Sequence, residues 1–148
     1  TAETTLRLAQ IDNIVAVKEA SSKREQILEI LQNRPEGFAV LSGNDDETLD
    51  LMQNGAEGVI SVASNIVPSM VADLTHAMLE GNAEEAQKLH DTLSPLFRDC
   101  FIESNPIPTK AALSAMGFIQ NELRMPLVPA SQGAYDQMLQ TIQDLDLL

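Results

Sequence analysis

Apolar residues along this chain fall into two rhythms. Ile14 to Lys18 (I-V-A-V-K), Phe38 to Ser42 (F-A-V-L-S) and Gly58 to Val62 (G-V-I-S-V) are short, β-branched and unbroken, the pattern of strands buried on both faces in a parallel sheet. Between them the apolar positions take helical spacing. Ser21 or Ser22 is placed to cap a helix lined by Ile27, Leu28, Ile30 and Leu31, and R-P-E-G at Arg34 to Gly37 stops it. Gly43 and Asn44 turn the chain again, Asp45 or Asp46 is placed to cap the next helix, and Leu49, Leu51 and Met52 line its inner side as far as Asn54 and Gly55. Leu6, Leu8 and Ile11 predict a helix ending over Thr4 to Gln10, with Asn13 in the turn before the first strand. The first half is thus a series of βα units.

After Val62 only helical rhythms remain. Pro68 opens a helix through Glu80, Gly81 and Asn82 break it, and another runs from Ala83 to Asp99 with a kink or boundary expected at Pro95. N-P-I-P at Asn105 to Pro108 opens a helix through Met116, Pro126 and Pro129 hold an extended connector, and Gln132 to Leu145 form the last helix. Three parallel βα units followed by helices alone leave a sheet with unprotected edges. A closed (β/α)8 barrel takes roughly 250 residues. The fold expected is therefore α/β: the last three βα units of such a barrel over residues 1–80, followed by a C-terminal helical region over 81–148. A complete small doubly wound domain is the rival, and the lack of strands after Val62 counts against it.

Composition narrows the functions. The 148 residues are 44% hydrophobic, enough for a sizeable core. Lysine and arginine number 9 against 22 acidic residues, a net charge of −13 that repels phosphate backbones and anionic lipid, so neither nucleic acid nor membrane is an expected partner. The single cysteine, Cys100, cannot form an internal disulfide, and no apolar run nears the roughly 20 residues that span a bilayer, which suggests the cytoplasm. The start, TAETTLRLAQ, lacks the pattern of a secretory signal, and Thr1 reads as a cut end.

The candidate chemistry lies at the strand ends. Lys18 closes an apolar strand, and barrel chemistry sits at the carboxyl ends of strands. An ammonium held dry among Ile14, Val17 and neighbouring strands would tend toward the neutral amine, which attacks carbonyls to form a Schiff base. The plainer alternative is a lysine that snorkels to solvent, paired with Glu19. Gly43 leaves room at the second strand's end for a ligand or a close backbone, or is an ordinary turn residue. Ile60 and Ser61 end the third strand and offer backbone groups to the same opening. His76 and His90 stand apart from any zinc pattern, and Asp45, Asp46 and Asp50 suit a helix start better than a divalent ion. Cys100 beside Phe101 reads as an apolar filler, Lys110 as a surface or packing lysine on a helix, and the six methionines as scattered core residues.

Five blocks, N-I-V-A-V-K-E-A-S, F-A-V-L-S-G-N-D-D, G-A-E-G-V-I-S-V-A-S-N, N-P-I-P-T-K-A-A-L and L-R-M-P-L-V-P, in that order and spacing, resemble the C-terminal half of the 4-hydroxy-tetrahydrodipicolinate (dihydrodipicolinate) synthase family across nearly the whole chain. The resemblance implies a lyase of lysine and diaminopimelate biosynthesis that condenses pyruvate with aspartate semialdehyde. It implies that Lys18 forms the Schiff base with pyruvate, that Ile60 supplies a backbone carbonyl near it and that Gly43 lies beside it. No cofactor or metal is implied beyond the covalent pyruvate, and a homo-oligomer, dimer or tetramer, is. The family's carboxylate loop, proton-relay tyrosines and second-substrate arginine belong to the N-terminal half, so activity is expected only once that half is supplied. Tyr135, the one tyrosine, matches none of the relay. Related pyruvate lyases of the N-acetylneuraminate lyase type share the barrel and the lysine. A non-catalytic half-barrel interaction module is the remaining alternative.

Overall fold

The computed structural model describes residues 1–148 as an α/β chain with one three-stranded parallel sheet. In order the elements are α1 (Ala2–Leu8), β1 (Ala16–Glu19), α2 (Arg24–Asn33), β2 (Ala39–Ser42), α3 (Thr48–Gln53), β3 (Gly58–Val59), a 3-10 turn (Ala63–Asn65), α4 (Pro68–Leu79), α5 (Ala83–Asp99), α6 (Ile107–Ala115) and α7 (Gln132–Asp144). The strands lie in sequence order, as helical crossovers between parallel neighbours require. Ala16 pairs with Ala39, Lys18 with Leu41, and Leu41 in turn with Gly58.

Only one face of this sheet is covered, which corrects the expectation of strands buried on both. Val40 and Ser42 are fully buried, and Val40 joins Ala2, Ala9, Ile30 and Phe38 in a small core under α1 and α2. The opposite face carries Ala16 and Lys18, both exposed, and Leu41, half-buried. Ala16 on that side stands open to solvent, and Leu41 is covered only in part.

The helices after the sheet are better covered. Twelve buried residues, from Ala63 and Ile66 through Leu74, Leu93 and Leu96 to Met138 and Ile142, form the largest apolar cluster. It spans α4 to α7, straddling the division expected at residue 80. Pro68 takes the first turn of α4, where its missing N–H costs nothing, and the side chains of Asn82 and Ser131 cap α5 and α7. The boundary considered at Pro95 does not occur, because α5 continues through it. Asp99, 1% exposed, accepts from Arg98, Gln137 and Thr141 and so fastens α5 to α7. Burial pushes Asp99 up, but its donors more than offset this and hold it below the ordinary aspartate range.

Arg34, which the sequence suggested only as part of a helix stop, is a staple at the amino end of the sheet. Its guanidinium donates to the Phe38 carbonyl at 3.0 Å, the Gly55 carbonyl at 2.8 Å and both Glu57 oxygens at 2.6 and 2.8 Å. Glu57 also accepts the Val40 N–H at 2.9 Å. Burial pushes Glu57 up, and Arg34 and the Val40 N–H together bring it below its ordinary value.

Candidate active site

The three strands end on the same side of the molecule, and the loops that follow them carry the candidate residues. Lys18 is exposed, so the expected dry setting among Ile14 and Val17 is not met in this chain. Strand alternation explains this. Val17 turns to the helix side with Ile14, whereas Lys18 stands on the uncovered face.

Gly43 explains the course of the lysine side chain. A Cβ at this position would lie 2.8 Å from Lys18 Cε, 2.6 Å from Ala20 Cβ and 3.1 Å from the Glu19 carbonyl. The Gly43 N–H donates to that carbonyl at 2.8 Å, extending the β1–β2 ladder past the strand ends. The lysine therefore lies across backbone, in space that any other residue at 43 would fill. Glu19, proposed as its ion-pair partner, is buried instead and accepts from the Ser21 N–H at 2.8 Å and from Gln26 at 3.4 Å. That use of the Ser21 N–H, with Ser22 at φ +55°, displaces the cap expected there. The N-cap of α2 is Lys23, and no side chain bonds it.

Ile60 is 46% exposed and follows the last residue of β3. Its N–H donates to the Ser42 carbonyl at 2.8 Å. In a parallel ladder that continued, the Asn44 N–H would next bond the Ile60 carbonyl. That N–H turns to Ser42 Oγ instead, at 3.2 Å, and no donor of the chain reaches the Ile60 oxygen. A free acceptor thus faces the same end of the sheet as Lys18.

The third strand is shorter than the sequence suggested, ending at Val59 rather than Val62, and Asp45 accounts for the change. Its Oδ2 accepts from the Val62 N–H and the Ala63 N–H, both at 2.9 Å, drawing the chain out of the ladder into the 3-10 turn. Asp45 does not cap α3, nor does Asp46; Glu47 stands at the N-cap, and no side chain bonds it. Asp45 is 3% exposed, and its Oδ1 is buried without a partner. Capping rules look a few residues ahead, and a bond across 17 positions leaves no local signal in the sequence.

The remaining candidates lie elsewhere. Asp50 pairs with Arg24 at 2.9 Å, which accounts for it without an ion. His76 is exposed on α4, and His90 packs its ring 5.8 Å from that of Phe97. Burial pushes the Cys100 thiol up to about 12; the Thr109 hydroxyl opposes the shift, and the charges of Asp45 and Asp99 add to it. It is a neutral core residue, not a nucleophile. Lys110 donates to the Glu122 carbonyl on the far side of α6, and Tyr135 stands in α7.

Residues 1–145 match the sequence model of the dihydrodipicolinate synthetase family. The 4-hydroxy-tetrahydrodipicolinate synthases of Archaeoglobus fulgidus and Chlorobaculum parvum are 43% and 47% identical, over 100% and 99% of this chain but 51% and 50% of their own lengths. The dihydrodipicolinate synthase of Thermotoga maritima superposes with a TM-score of 0.97 at 42% identity, and that of Acinetobacter baumannii, solved in complex with pyruvate, with 0.95 at 32%. These alignments cover 99% and 100% of this chain and 51% of each solved one. The chain spans about half the length of the curated relatives it matches. On this agreement along nearly every residue, the chain belongs to the dihydrodipicolinate synthetase family.

Proposed function

We propose that these residues are the carboxyl-terminal half of a 4-hydroxy-tetrahydrodipicolinate synthase of the cytoplasm, contributing the last three βα units of a (β/α)8 barrel and the helical region after them. In this reading Lys18 is the nucleophile. Its neutral amine attacks the ketone carbon of pyruvate; the C–N bond forms, the carbonyl oxygen leaves as water, and the resulting iminium acidifies the methyl protons. Loss of one such proton gives an enamine, whose carbon attacks the aldehyde of aspartate semialdehyde. Ile60 offers its unbonded carbonyl to the bound pyruvate, and Gly43 leaves the space through which the lysine reaches it. No metal or organic cofactor enters these steps.

The observation that carries the reading is the packing of Lys18 over Gly43, which leaves a long amine a clear path along the end of a parallel sheet. The uncovered face and unpaired outer edges of β1 and β3 support a further expectation. They are surfaces for the preceding five βα units, which would cover Lys18 and bring the acid-base groups that the loops here lack. The completed barrel then assembles as a dimer or tetramer.

The test is borohydride trapping in the barrel completed by those units. Pyruvate plus borohydride should add the mass of a reduced pyruvyl group to the peptide containing Lys18, and Lys18→Ala should abolish the label. A completed barrel that takes no label, or a Lys18→Ala variant that still does, refutes the assignment.

A further inference from the structure

We propose that Asp45 is the positioning residue that holds the Ile60 carbonyl at its angle and height relative to Lys18. The inference rests on the reading of Lys18 and Ile60 just given, and adds to it a residue that touches neither pyruvate nor the amine.

Past Val59 the third strand has one ladder bond left, from the Ile60 N–H to Ser42. One bond leaves the Ile60–Ser61 peptide free to rock about its axis, because the next expected donor, Asn44, is turned away. The second point of attachment comes from Asp45. By taking the N–H groups of Val62 and Ala63 on one oxygen, it fixes the chain two and three residues beyond Ile60. The Ile60 carbonyl is then clamped between the hydrogen bond on its own N–H and the two that Asp45 accepts from the turn that follows. Ser61 Oγ, accepting the Ser64 N–H at 2.8 Å, tightens the same turn from within.

The placement of Asp45 in the chain gives this hold its functional meaning. The loop after β2 carries Gly43, against which the lysine stem lies, and two residues later Asp45, which holds the loop after β3. A single rigid turn therefore sets the separation between amine and acceptor. That turn is well fastened: Ser42 Oγ donates to the Asn44 carbonyl at 2.7 Å, Thr48 Oγ1 donates to it at 2.9 Å, and Asn44 Nδ2 reaches Glu47 at 2.9 Å and Ser22 at 3.1 Å. Aspartate suits the position on three counts. It is short enough to stay buried beside the turn, one of its oxygens accepts both N–H groups, and its carbon stem adds nothing that would crowd the turn. Asparagine retains an acceptor oxygen of the same reach; alanine retains nothing.

Two measurements on Asp45→Ala and Asp45→Asn, with exposed Asp46→Ala as control, decide the matter. In the completed barrel, the rate of borohydride-trapped pyruvate at Lys18 should fall at least about tenfold in Asp45→Ala, stay within about threefold in Asp45→Asn, and be unchanged in Asp46→Ala. In the 148-residue chain, amide exchange at Val62 and Ala63 should quicken at least about a hundredfold in Asp45→Ala, with circular dichroism reporting an intact fold, and stay slow in Asp45→Asn. Trapping at the wild-type rate in Asp45→Ala overturns the proposal, and so does unchanged protection of both amides. Should the wild-type barrel itself fail to trap pyruvate, the reading of Lys18 falls. The exchange data alone then decide whether Asp45 holds the loop.

Discussion

The helical region and the sheet region are built to different standards of completeness. From α4 to α7 a twelve-residue cluster is enclosed on all sides, with Leu93, Leu96, Cys100 and Ile142 at zero exposure and a buried aspartate fully supplied with donors. The sheet has strands of four, four and two residues, a core of five buried residues on one face, and Lys18 and Ala16 bare on the other. The reactive candidates all belong to the incomplete region. In the proposed reading a nucleophile must meet its substrate in space the fold leaves open, and that half of the chain is where further strands and the substrate would come. The helical region holds the larger core and backs the sheet, while Leu79, Phe118, Met125 and Val128 stand exposed on its surface.

Unequal costs for equal truncations give the sharpest test of that contrast. Leu96→Ala, in the enclosed cluster, should destabilise the chain by about 3 to 4 kcal/mol, as transfer and cavity terms add. Leu41→Ala, on the open sheet face, should cost less, about 1 to 2 kcal/mol in denaturant titrations of the chain alone, because the side chain is only half-buried there. Completion of the barrel should raise the second cost toward the first. Equal penalties in the isolated chain would mean that the open face is covered in solution.

Next in size is the steric test at the site. Gly43→Ala should cost about 1 to 3 kcal/mol, since a Cβ 2.6 Å from that of Ala20 and 2.8 Å from Lys18 Cε forces backbone as well as lysine to shift. In the completed barrel the same change should slow trapping at Lys18. An unaltered trapping rate would show that the lysine takes another route to its substrate.

Removing one donor from the buried aspartate should have a smaller effect. Thr141→Val leaves Asp99 with Arg98 and Gln137 only, and should destabilise by about 1 to 2 kcal/mol. Asp99 also brings a pH dependence. Its folded-state pKa lies below the unfolded value of 3.8, so its contribution is present above that value and is lost as pH falls through the folded one. Glu57, held down by Arg34, has the same sign from an unfolded value of 4.5 at the sheet's amino end. Acid titration followed by helical and sheet reporters should show both regions weakening below about pH 4. Asp99→Asn should flatten the response in the helices alone.

Much of this architecture was legible in the letters, for local reasons. Unbroken β-branched runs gave the strands, while Pro68 marked one helix start and Gly81 with Asn82 the break before another, features that depend only on neighbours within one turn. Lys18 and Gly43 stood out because strand ends in parallel sheets are exposed by construction of the fold, and the two do meet. What escaped was set at a distance. Asp45 satisfies amides 17 and 18 residues away, and Arg34 reaches Gly55 and Glu57, 21 and 23 residues on, so none of these bonds carries a mark in its own neighbourhood. The dryness expected around Lys18 failed for a different reason: the alternation of β1 turns it to the exposed face of the sheet.

The smallest effect separates local from distant bonding most cleanly. If Ser22 capped α2, its replacement by alanine would cost typically about 1 kcal/mol. Instead its hydroxyl makes one exposed bond, accepting from Asn44 Nδ2 at 3.1 Å, and contributes nothing to the orphan amides of the helix. Its backbone at φ +55° is equally awkward for serine and alanine, since both carry a Cβ, so the substitution adds no strain of its own. Ser22→Ala should therefore change stability by less than about 0.5 kcal/mol, measured by denaturant midpoint at constant slope. A loss near 1 kcal/mol would restore the serine to the helix and would place the start of α2 earlier than Arg24.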